Sequence, residues 1–194
     1  QTRSVELAMR YKVRLRVLSS FEDLPGTLVC GEEEIMEQNV VSGVAFSRDE
    51  AKLTLVKVQD TPGVAAAVFG PLAGAGVNVD MIVQNIGADG MTDMTFSVSL
   101  DDMERARAAL EGARGAIGYR DLIVDDEVAK VSVVGIGMRS HAGVAQRMFA
   151  ALAEEGINIK VITTSEIKVS VLIDRWYMEL AVRALHEAFG LEQA

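Results

Sequence analysis

Hydrophobic and polar residues alternate strictly along one stretch of the chain, residues 94–100. Met94, Phe96 and Val98 take hydrophobic positions, and threonine or serine stands between them. Because successive side chains of a β-strand point to opposite faces, this alternation predicts a strand with one buried face. Shorter β-rich runs on either side predict three further strands, at 53–58, 79–84 and 117–124.

Helical spacing replaces the alternation between the first two of these strands. Hydrophobic side chains between 64 and 72 fall on one face of a helix. Thr61 is predicted to cap that helix, and Pro62 suits its first turn. Pro71 is predicted to bend the helix, and Gly76 to end it in the left-handed conformation. Asp101 or Asp102 is predicted to cap a second helix, with inward-facing residues Met103, Ala106, Leu110 and Ala113.

The same pattern occurs twice along the chain. The segment that begins near residue 51 returns after residue 129, which predicts two copies of one strand–helix–strand–strand–helix unit. Three pairs of matching stretches form the repeat: 51–56 with 129–134, 63–65 with 143–145, and 76–79 with 156–159. In the second copy we predict strands at 131–136, 159–164 and 167–173 and helices at 143–155 and 177–189.

The second copy lacks a final strand of its own. Only residues 190–194 follow its last helix, whereas the first copy continues into a fourth strand. The β-rich segment 41–46 precedes the first copy and belongs to neither repeat. Our hypothesis is that 41–46 pairs with the sheet of the second copy and ties the two units together.

The order strand–helix–strand–strand–helix–strand gives a four-stranded antiparallel sheet with helices on one face. We therefore predict an α+β protein of two tandem ferredoxin-like βαββαβ units. Residues 1–38, with a helix at 3–11 and an alternating strand at 12–18, are expected to be the tail of a preceding domain and a linker. The predicted division assigns 39–50 to the strand completing the second unit, 51–126 to the first unit and 127–194 to the second.

Composition narrows the classes of function. The net charge of −9 argues against a nucleic-acid partner, since phosphate binding needs clustered lysine and arginine. The single cysteine, Cys30, excludes a disulfide framework and a multi-cysteine metal site, and it is typical of a cytoplasmic protein. The uncharged stretch 61–79 contains prolines and glycines, so we do not expect it to span a membrane. Because the chain begins at Gln1 without a signal peptide, we expect a fragment or a processed piece.

One loop offers a binding site for a small zwitterion. The N–H groups of Gly63, Val64 and Ala65 start a helix, and a helix N-terminus attracts a carboxylate. Asp60 and the side-chain carbonyl of Asn78 can accept hydrogen bonds from an ammonium group. Donors for an anion beside acceptors for a cation suit the α-carboxylate and α-amino groups of a free amino acid. Plain helix capping without a ligand is the competing interpretation.

Polar residues beyond Asn78 are candidates for contacting the side chain of such a ligand. Asp80 and Gln84 are predicted to share the strand face of Asn78. Asp80 suits a cationic side chain such as that of lysine. The second copy differs, since Lys160 stands where Asp80 stood. The polar groups of the second copy near the level of Gln84 are Ser165 and Glu166.

The sequence contains no pattern that predicts catalysis or a metal site. His141 and His186 lack metal-ligand spacing. The glycine pair Gly135 and Gly137 lacks the third glycine of a dinucleotide-binding loop. Cys30 has no cationic or histidine neighbour in the sequence, so a plain thiol is expected. We therefore predict no catalytic and no metal-binding residues in this chain.

Four stretches of the two copies form a recognisable set: Asp-Thr-Pro-Gly-Val-Ala at 60–65, Gly-Val-Asn-Val-Asp-Met-Ile-Val-Gln-Asn at 76–85, Lys-Val-Ser-Val-Val-Gly-Ile-Gly-Met-Arg-Ser-His at 130–141 and Thr-Ser-Glu-Ile-Lys-Val-Ser-Val-Leu-Ile at 164–173. They resemble the regulatory region of aspartate kinase (aspartokinase), which is a pair of ACT domains. The opening of the chain is similar to the end of the amino-acid-kinase domain of that family. The resemblance covers essentially the whole chain and implies a C-terminal regulatory fragment without the nucleotide and aspartate sites.

The resemblance implies feedback inhibition by lysine and/or threonine of ATP-dependent aspartate phosphorylation in lysine, threonine and methionine biosynthesis. It also implies a homodimer through the ACT domains and a kinase domain or catalytic subunit as partner. ATP and magnesium belong to the catalytic part, so no cofactor is expected in this fragment. The effector contacts that it implies are Asp60, Thr61, Pro62, Gly63, Val64, Ala65, Asn78, Val79, Asp80, Gln84, Val144, Ala145, Asn158, Ile159, Ser165 and Glu166.

Other classes of protein stay open at this point. The main alternative is a stand-alone ACT-type small-molecule sensor or a dimerisation module for another amino-acid-pathway enzyme. A nucleic-acid-binding ferredoxin-like domain is opposed by the acidic charge and the scarcity of aromatic residues, and a metal carrier by the single cysteine. The partners we expect include neither nucleic acid nor a membrane. The edge strand at 79–84 offers a route to dimerisation between sheets.

Overall fold

The chain divides into a smaller unit, Gln1–Val40, and a larger unit, Val41–Ala194, and the larger unit contains both repeats. The computed structural model describes residues 2–30, 40–87, 89–135 and 143–191. The smaller unit contains the helix predicted at its start, and its predicted strand is short because Lys12 adopts a left-handed turn conformation with φ 52°. Its elements are helix α1 (Thr2–Arg10) and the antiparallel strands β1 (Leu15–Val17) and β2 (Thr27–Val29).

A six-stranded antiparallel sheet organises the larger unit. Its strands are β3 (Gly43–Gln59), β4 (Asp80–Ile86), β5 (Met91–Val98), β6 (Asp121–Val134), β7 (Ile159–Thr164) and β8 (Lys168–Asp174), in the order β4-β5-β3-β6-β8-β7. Its helices are α2 (Val64–Gly74), α3 (Met103–Gly112), α4 (Arg114–Ile117), α5 (Val144–Glu154) and α6 (Met178–Phe189). Of the helices in the described ranges, none has the length and hydrophobicity that a membrane span requires.

The two central strands, β3 and β6, serve both repeats. They pair with each other from Gly43 opposite Val134 to Val56 opposite Asp121. The second half of β3 also pairs with β5, and the second half of β6 also pairs with β8. The start of β3 therefore lies beside the end of β6 in the sheet of the second copy, which is the pairing proposed for 41–46.

Each repeat obtains four strands from this arrangement. The first repeat, called the first unit from here on, uses β4, β5, the second half of β3 and the first half of β6. The second repeat, called the second unit, uses β7, β8, the second half of β6 and the first half of β3. Both are the ferredoxin-like units that the sequence predicted. The strands predicted separately at 41–46 and 53–58 are one strand, and those at 117–124 and 131–136 are also one as far as the described residues extend. The start predicted at 117 is wrong, because Ile117 ends helix α4 and β6 begins at Asp121.

Each unit has its own hydrophobic core between its sheet and its helices. In the first unit Phe96 is fully buried, and Phe69 of α2 packs edge-on against it with 5.4 Å between the ring centroids. Burial of one such large side chain contributes about 1.5–3 kcal/mol. The other fully buried residues of the first core include Ala51, Leu53, Leu55, Val58, Val68, Leu72, Ala106 and Leu110. Those of the second include Ala129, Val131, Val133, Met148, Leu152, Val171, Ile173, Ala181 and Leu185.

The start of α2 differs from its prediction, whereas its end agrees. The N-cap is Gly63, with a left-handed φ of 97° and no side-chain cap. Thr61 is not the cap, because its carbonyl accepts the N–H of Val64 at 3.1 Å in a turn that precedes the helix. Pro62 therefore also stands before the first helical turn. Gly76 follows the helix with a φ of 68°, as predicted.

The start of α3 lies after a short 3₁₀ turn, Leu100–Asp102. The hydroxyl of Ser99 accepts the N–H of Asp102 at 3.2 Å. Asp102 takes the N-cap position of α3, which is one of the two positions predicted, but its side chain makes no capping hydrogen bond because the helical turn begins earlier, at Ser99. Ala106 and Leu110 face the core as predicted.

The two repeats of the larger unit contact each other through the sheet faces that are turned away from the helices. Met81 of β4, Val161 of β7 and Leu172 of β8 form a small third core, against which Val83 packs. Three serine side chains near these strands are buried as well: Ser97, Ser132 and Ser170. The larger unit therefore has an interior between its repeats in addition to one inside each repeat.

Candidate functional site

The loop predicted to bind a ligand lies at the exposed start of α2. Thr61, Pro62, Gly63 and Ala65 are exposed, and Val64 is half-buried. The first bond of the helix runs from the N–H of Ala67 to the carbonyl of Gly63 at 3.0 Å. Of the three N–H groups predicted as donors, that of Val64 is already donated to the Thr61 carbonyl, so the prediction is wrong for Val64. Those of Gly63 and Ala65 lie ahead of this bond, where helix N-termini bind anions.

The second unit repeats this geometry at α5. Gly143 is the N-cap with a φ of 109° and no side-chain cap, and its carbonyl accepts the N–H of Arg147 at 2.8 Å. Val144 and Ala145 are half-buried and pack against the second core. The segment 139–142, which the sequence singled out as different from the first copy, lies outside the described residues.

Asp60 and Gln84 meet beside the start of α2, as the predicted site requires. The side-chain Nε2 of Gln84 donates to Oδ1 of Asp60 at 3.5 Å. The N–H of Asp60 donates to the carbonyl of Gly90 at 3.0 Å, which fixes the loop to the neighbouring hairpin. Asn78 is exposed between α2 and β4, and Val79 packs partly against the first core.

Asp80 does not share the strand face of Gln84, and that prediction is wrong. Asp80 pairs with Ser97, whereas Gln84 pairs with Met94, and these two partners point to opposite faces of β5. The register shifts between Asp80 and Val83, at a bulge where buried Met81 has a φ of 46°. A bulge adds a residue to one strand, so the two-residue alternation from Asn78 does not continue through it.

The carboxylate of Asp80 contacts the second unit. Its Oδ2 accepts a hydrogen bond of 2.9 Å from the ammonium of Lys130 on β6, and its Oδ1 accepts one of 2.8 Å from the N–H of Met81. Lys130 also forms an ion pair with the buried Glu50. Burial alone would raise the pKa of Asp80, but the hydrogen bonds from Lys130 and Met81 lower it below its usual value. Burial opposes the charge of Lys130 too, but Glu50 and Asp80 raise the pKa of Lys130.

Lys160, at the matching position of the second copy, contacts the first unit. Its ammonium lies 2.8 Å from Asp125 on the first half of β6 and 2.6 Å from Asp174 on β8. Burial would lower the pKa of Lys160, but its hydrogen bonds with both carboxylates raise it. Burial would raise the pKa of Asp125, but Lys160 and then Lys52, 3.6 Å away, help to hold it below its usual value.

The remaining residues predicted in the second unit lie at turns. Asn158 is exposed before β7, and Ile159 packs partly against the second core. Ser165 closes the β7–β8 hairpin, because its hydroxyl accepts the N–H of Lys168 at 3.2 Å and its own N–H donates to the Lys168 carbonyl at 2.8 Å. Glu166 is exposed in the same turn.

A cavity of about 360 Å³ lies between the two repeats of the larger unit. Its walls are largely aliphatic, with the Thr95 hydroxyl and the Lys160 ammonium as polar groups. Thr95 already shares a hydrogen bond with Thr54 at 3.0 Å, and Lys160 is ion-paired. Of the residues implied as effector contacts, Ile159 lines this cavity, whereas none of those at 60–65 does. The lining residues are Val83, Thr95, Ile159, Lys160, Val161 and Ile162.

Sequence reasoning missed Lys130, Glu50 and Asp125, which complete the charged contacts between the units. One signal was present in the repeat. Lys52 and Lys130 occupy matching positions, 51–56 against 129–134, in strands whose other residues are mostly hydrophobic. A lysine retained on a buried strand requires a carboxylate partner, because an unpaired buried charge is costly.

Comparison with known proteins agrees with the repeat. Two models described as ACT domains match the chain, one over residues 52–115 and the other over residues 131–189. An aspartate kinase of Pseudomonas fluorescens is 58% identical over 193 residues, which cover 99% of this chain and 47% of that protein. The chain thus spans about half the length of the curated relatives it matches.

Solved structures cover the larger unit. The structure of the aspartokinase alpha and beta subunits matches with 51% identity and a TM-score of 0.73, over 77% of this chain and 99% of the matched one. The ligand-free regulatory subunit of aspartate kinase from Thermus thermophilus matches with 42% identity and a TM-score of 0.74, over 78% of this chain and 99% of that subunit. Since both matches span nearly all of the solved chains at high identity, the chain belongs to the aspartate kinase family, as a regulatory region with two ACT domains.

Proposed function

We propose that this chain senses free lysine and/or threonine and thereby inhibits the ATP-dependent phosphorylation of aspartate by a kinase domain or catalytic subunit. Its match to a regulatory subunit of aspartate kinase supports this function. In this proposal ATP and magnesium bind the catalytic part, the setting is the cytoplasm, and the pathway is lysine, threonine and methionine biosynthesis.

One observation carries the proposal: a helix start without a side-chain cap lies beside a carboxylate and an amide. Gly63 leaves the start of α2 open, and Asp60 and Gln84 meet next to it. The helix start suits the α-carboxylate of an amino acid, and Asp60 suits its ammonium. Capping by the protein itself accounts for only part of this helix start, because the Thr61 carbonyl accepts the N–H of Val64 and Gly63 has no side chain with which to cap the others.

The proposed contacts fall into two sets. Around α2 the helix start binds the α-carboxylate, and Gln84 contacts the ligand side chain on the same face of the sheet. Asp80 points to the opposite face, so a role in holding a lysine side chain requires it to leave Lys130. The proposed contacts are Asp60, Thr61, Pro62, Gly63, Val64, Ala65, Asn78, Val79, Asp80 and Gln84, and, in the second unit, Val144, Ala145, Asn158, Ile159, Ser165 and Glu166.

Inhibition follows if the ligand favours one arrangement of paired ACT domains. A ligand shifts such an equilibrium only by its differential affinity for the two states. We propose a homodimer as the assembly in which this occurs. Ile82 and Ile86 are exposed on the edge strand β4, which leaves that edge suitable for a second copy.

A thermal-shift screen of the chain against the twenty amino acids tests the proposal. A ligand present at 100 times its Kd adds about 2.7 kcal/mol of stability. We expect lysine, threonine or their mixture to raise the melting temperature more than the other amino acids. If these leave the melting curve unchanged while another ligand shifts it, the effector assignment is wrong.

Two neighbouring variants locate the site. Gln84→Ala removes the amide beside Asp60 and is expected to weaken the bound amino acid about three- to tenfold, as measured by titration calorimetry. Asn85→Ala is the matched control, because Asn85 is an exposed amide on the same strand, adjacent in the sequence. Equal affinities in the two variants would place the ligand elsewhere.

A further inference from the structure

The two candidate ligand turns continue into the same kind of segment. Asn78, Val79, Asp80 and Met81 match Asn158, Ile159, Lys160 and Val161 in the repeat. In each copy the asparagine is exposed, and the strand pairing shifts register within the next residues. Each exposed turn is therefore joined to a bulge at the start of an edge strand.

The third residue of each segment crosses to the other unit. Asp80 leaves the first unit to bind Lys130 at 2.9 Å, and Lys160 leaves the second unit to bind Asp125 at 2.8 Å. In both pairs the first repeat supplies the carboxylate and the second repeat supplies the lysine. Both side chains of the Lys160–Asp125 pair are shielded, at 22% and 23% exposed, whereas the Asp80 side chain is 53% exposed beside a Lys130 that is 19% exposed. Solvent therefore weakens the Asp80 pair more than the Lys160 pair.

The fourth residue of each segment forms the apolar part of the same contact. Met81 and Val161 are both buried and belong to one small core with Leu172. A displacement of either bulge therefore moves a side chain that packs against the other bulge. Packed contacts of this kind transmit displacement because interiors are dense.

We propose that segments 78–81 and 158–161 form one coupling element, through which an amino acid bound at the Asn78 turn alters the Asn158 turn of the same chain. This inference rests on the proposed function, since it concerns the ligands of those turns. Asp80 and Lys160 act as positioning residues that hold the bulges across the contact. The coupling is reciprocal, because a ligand at the second turn must affect the first by the same factor.

Hydrogen exchange of backbone amides tests the coupling. The variant Asn158→Ala removes the side-chain amide of the second turn, so that lysine or threonine, whichever binds the unmodified chain, is held at the first turn. Mass spectrometry then follows peptides that cover residues 159–164, with and without the saturating amino acid. We expect exchange in these peptides to change by about fivefold on binding.

Two further substitutions in that variant identify the route. Asp80→Asn keeps an acceptor for the Met81 N–H but removes the charge, and it should abolish most of the exchange change at a ligand concentration that calorimetry shows to saturate this variant. Glu111→Gln is the control, because it breaks an ion pair of 3.0 Å with Arg107 on α3 that does not cross between units. The exchange change should persist in that control.

Each outcome bears on the inference. If the unmodified chain binds neither lysine nor threonine, the proposed function fails and the coupling with it. If binding is lost in Asn158→Ala, both turns hold one ligand together, and coupling between two turns is refuted. If binding persists but residues 159–164 do not respond, or respond equally with Asp80→Asn, the coupling is wrong while the proposed function stands.

Discussion

The two ACT units have the same backbone design but different charges at the position where they meet. Gly63 and Gly143 start matching helices with φ of 97° and 109°. At the matching strand position, however, the first unit has Asp80 and the second has Lys160. The strand positions differ because each complements a charge of the other repeat, Asp80 that of Lys130 and Lys160 that of Asp125.

Exchanging the two residues, so that position 80 has lysine and position 160 has aspartate, would place like charges together in both repeats. Lys160 lies between Asp125 and Asp174, so an aspartate at position 160 would face two like charges. Asp80 lies beside Lys130, with Lys168 close enough to affect its pKa, so a lysine at position 80 would also be repelled. Two identical units would therefore not pack in this way, and the divergence of the repeat allows one chain to form the contact.

The largest expected effect tests whether the two ACT repeats can unfold independently of each other. Leu72→Ala and Leu152→Ala remove matching leucines that are fully buried in the first and second core. Each is expected to lower the free energy of unfolding by about 3 kcal/mol, through lost burial and the cavity left behind. Because β3 and β6 belong to both sheets, each variant should still unfold in one cooperative transition, measured by urea denaturation.

The comparison would fail if the units unfolded independently. Two transitions in either variant, with only one of them displaced, would mean that the shared strands do not join the units into one cooperative structure. A useful control is Leu28→Ala in β2, since Leu28 is exposed and belongs to the smaller unit. It should leave the main transition unchanged.

A smaller effect is expected from the charged contact. Asp125→Asn removes the carboxylate shared by Lys160 and Lys52. The side chain of Asp125 is only 23% exposed. At pH 7 this should cost about 1–3 kcal/mol, because the shielded Lys160 keeps only Asp174 of its two carboxylate partners and Lys52 loses the carboxylate near it. Asp89→Asn, which breaks an exposed pair with Lys57, is the control and should cost less.

The pH dependence of the Asp125→Asn effect has a definite sign. The pKa of Asp125 is lowered in the folded state, so its contribution is present above the unfolded value of about 4 and is lost as the pH falls through the folded value. The stability difference between the unmodified chain and Asp125→Asn should therefore shrink in acid, as measured by urea denaturation between pH 7 and pH 2. A constant difference would show that the charge of Asp125 is not responsible.

The repeat allowed the fold to be predicted, but not the continuity of its central strands. Each long strand changes from one core to the other at a polar stretch, Arg48, Asp49 and Glu50 in β3 and Asp125, Asp126 and Glu127 in β6. Such a stretch resembles a loop when only local hydrophobicity is considered. Here the backbone stays extended through it, although the pairing of β3 with β6 shifts register on both sides of Glu50.

The candidate site was predicted only in part for a similar reason. The proximity of Asp60 and Gln84 follows from the order of the elements, which the repeat indicated. The position of Asp80 depends on the bulge at Met81, a non-glycine residue with a positive φ. Periodicity carries no signal for such a bulge, since one extra residue reverses the face of everything beyond it.

The smallest expected effect compares two hydroxyl pairs at corresponding places in the sheet. Ser132 and Ser170 share a hydrogen bond of 2.8 Å in the second unit, and Thr54 and Thr95 share one of 3.0 Å in the first. Because only the serine pair is fully buried, Ser132→Ala should cost about 1 kcal/mol by leaving the Ser170 hydroxyl unsatisfied, and replacing both serines by alanine should cost less than that. For the half-buried threonines, Thr54→Val should cost less than Ser132→Ala, since water can replace the lost partner. A double-mutant cycle by urea denaturation measures both couplings, and an equal or larger coupling between the threonines would mean that burial does not distinguish the two pairs.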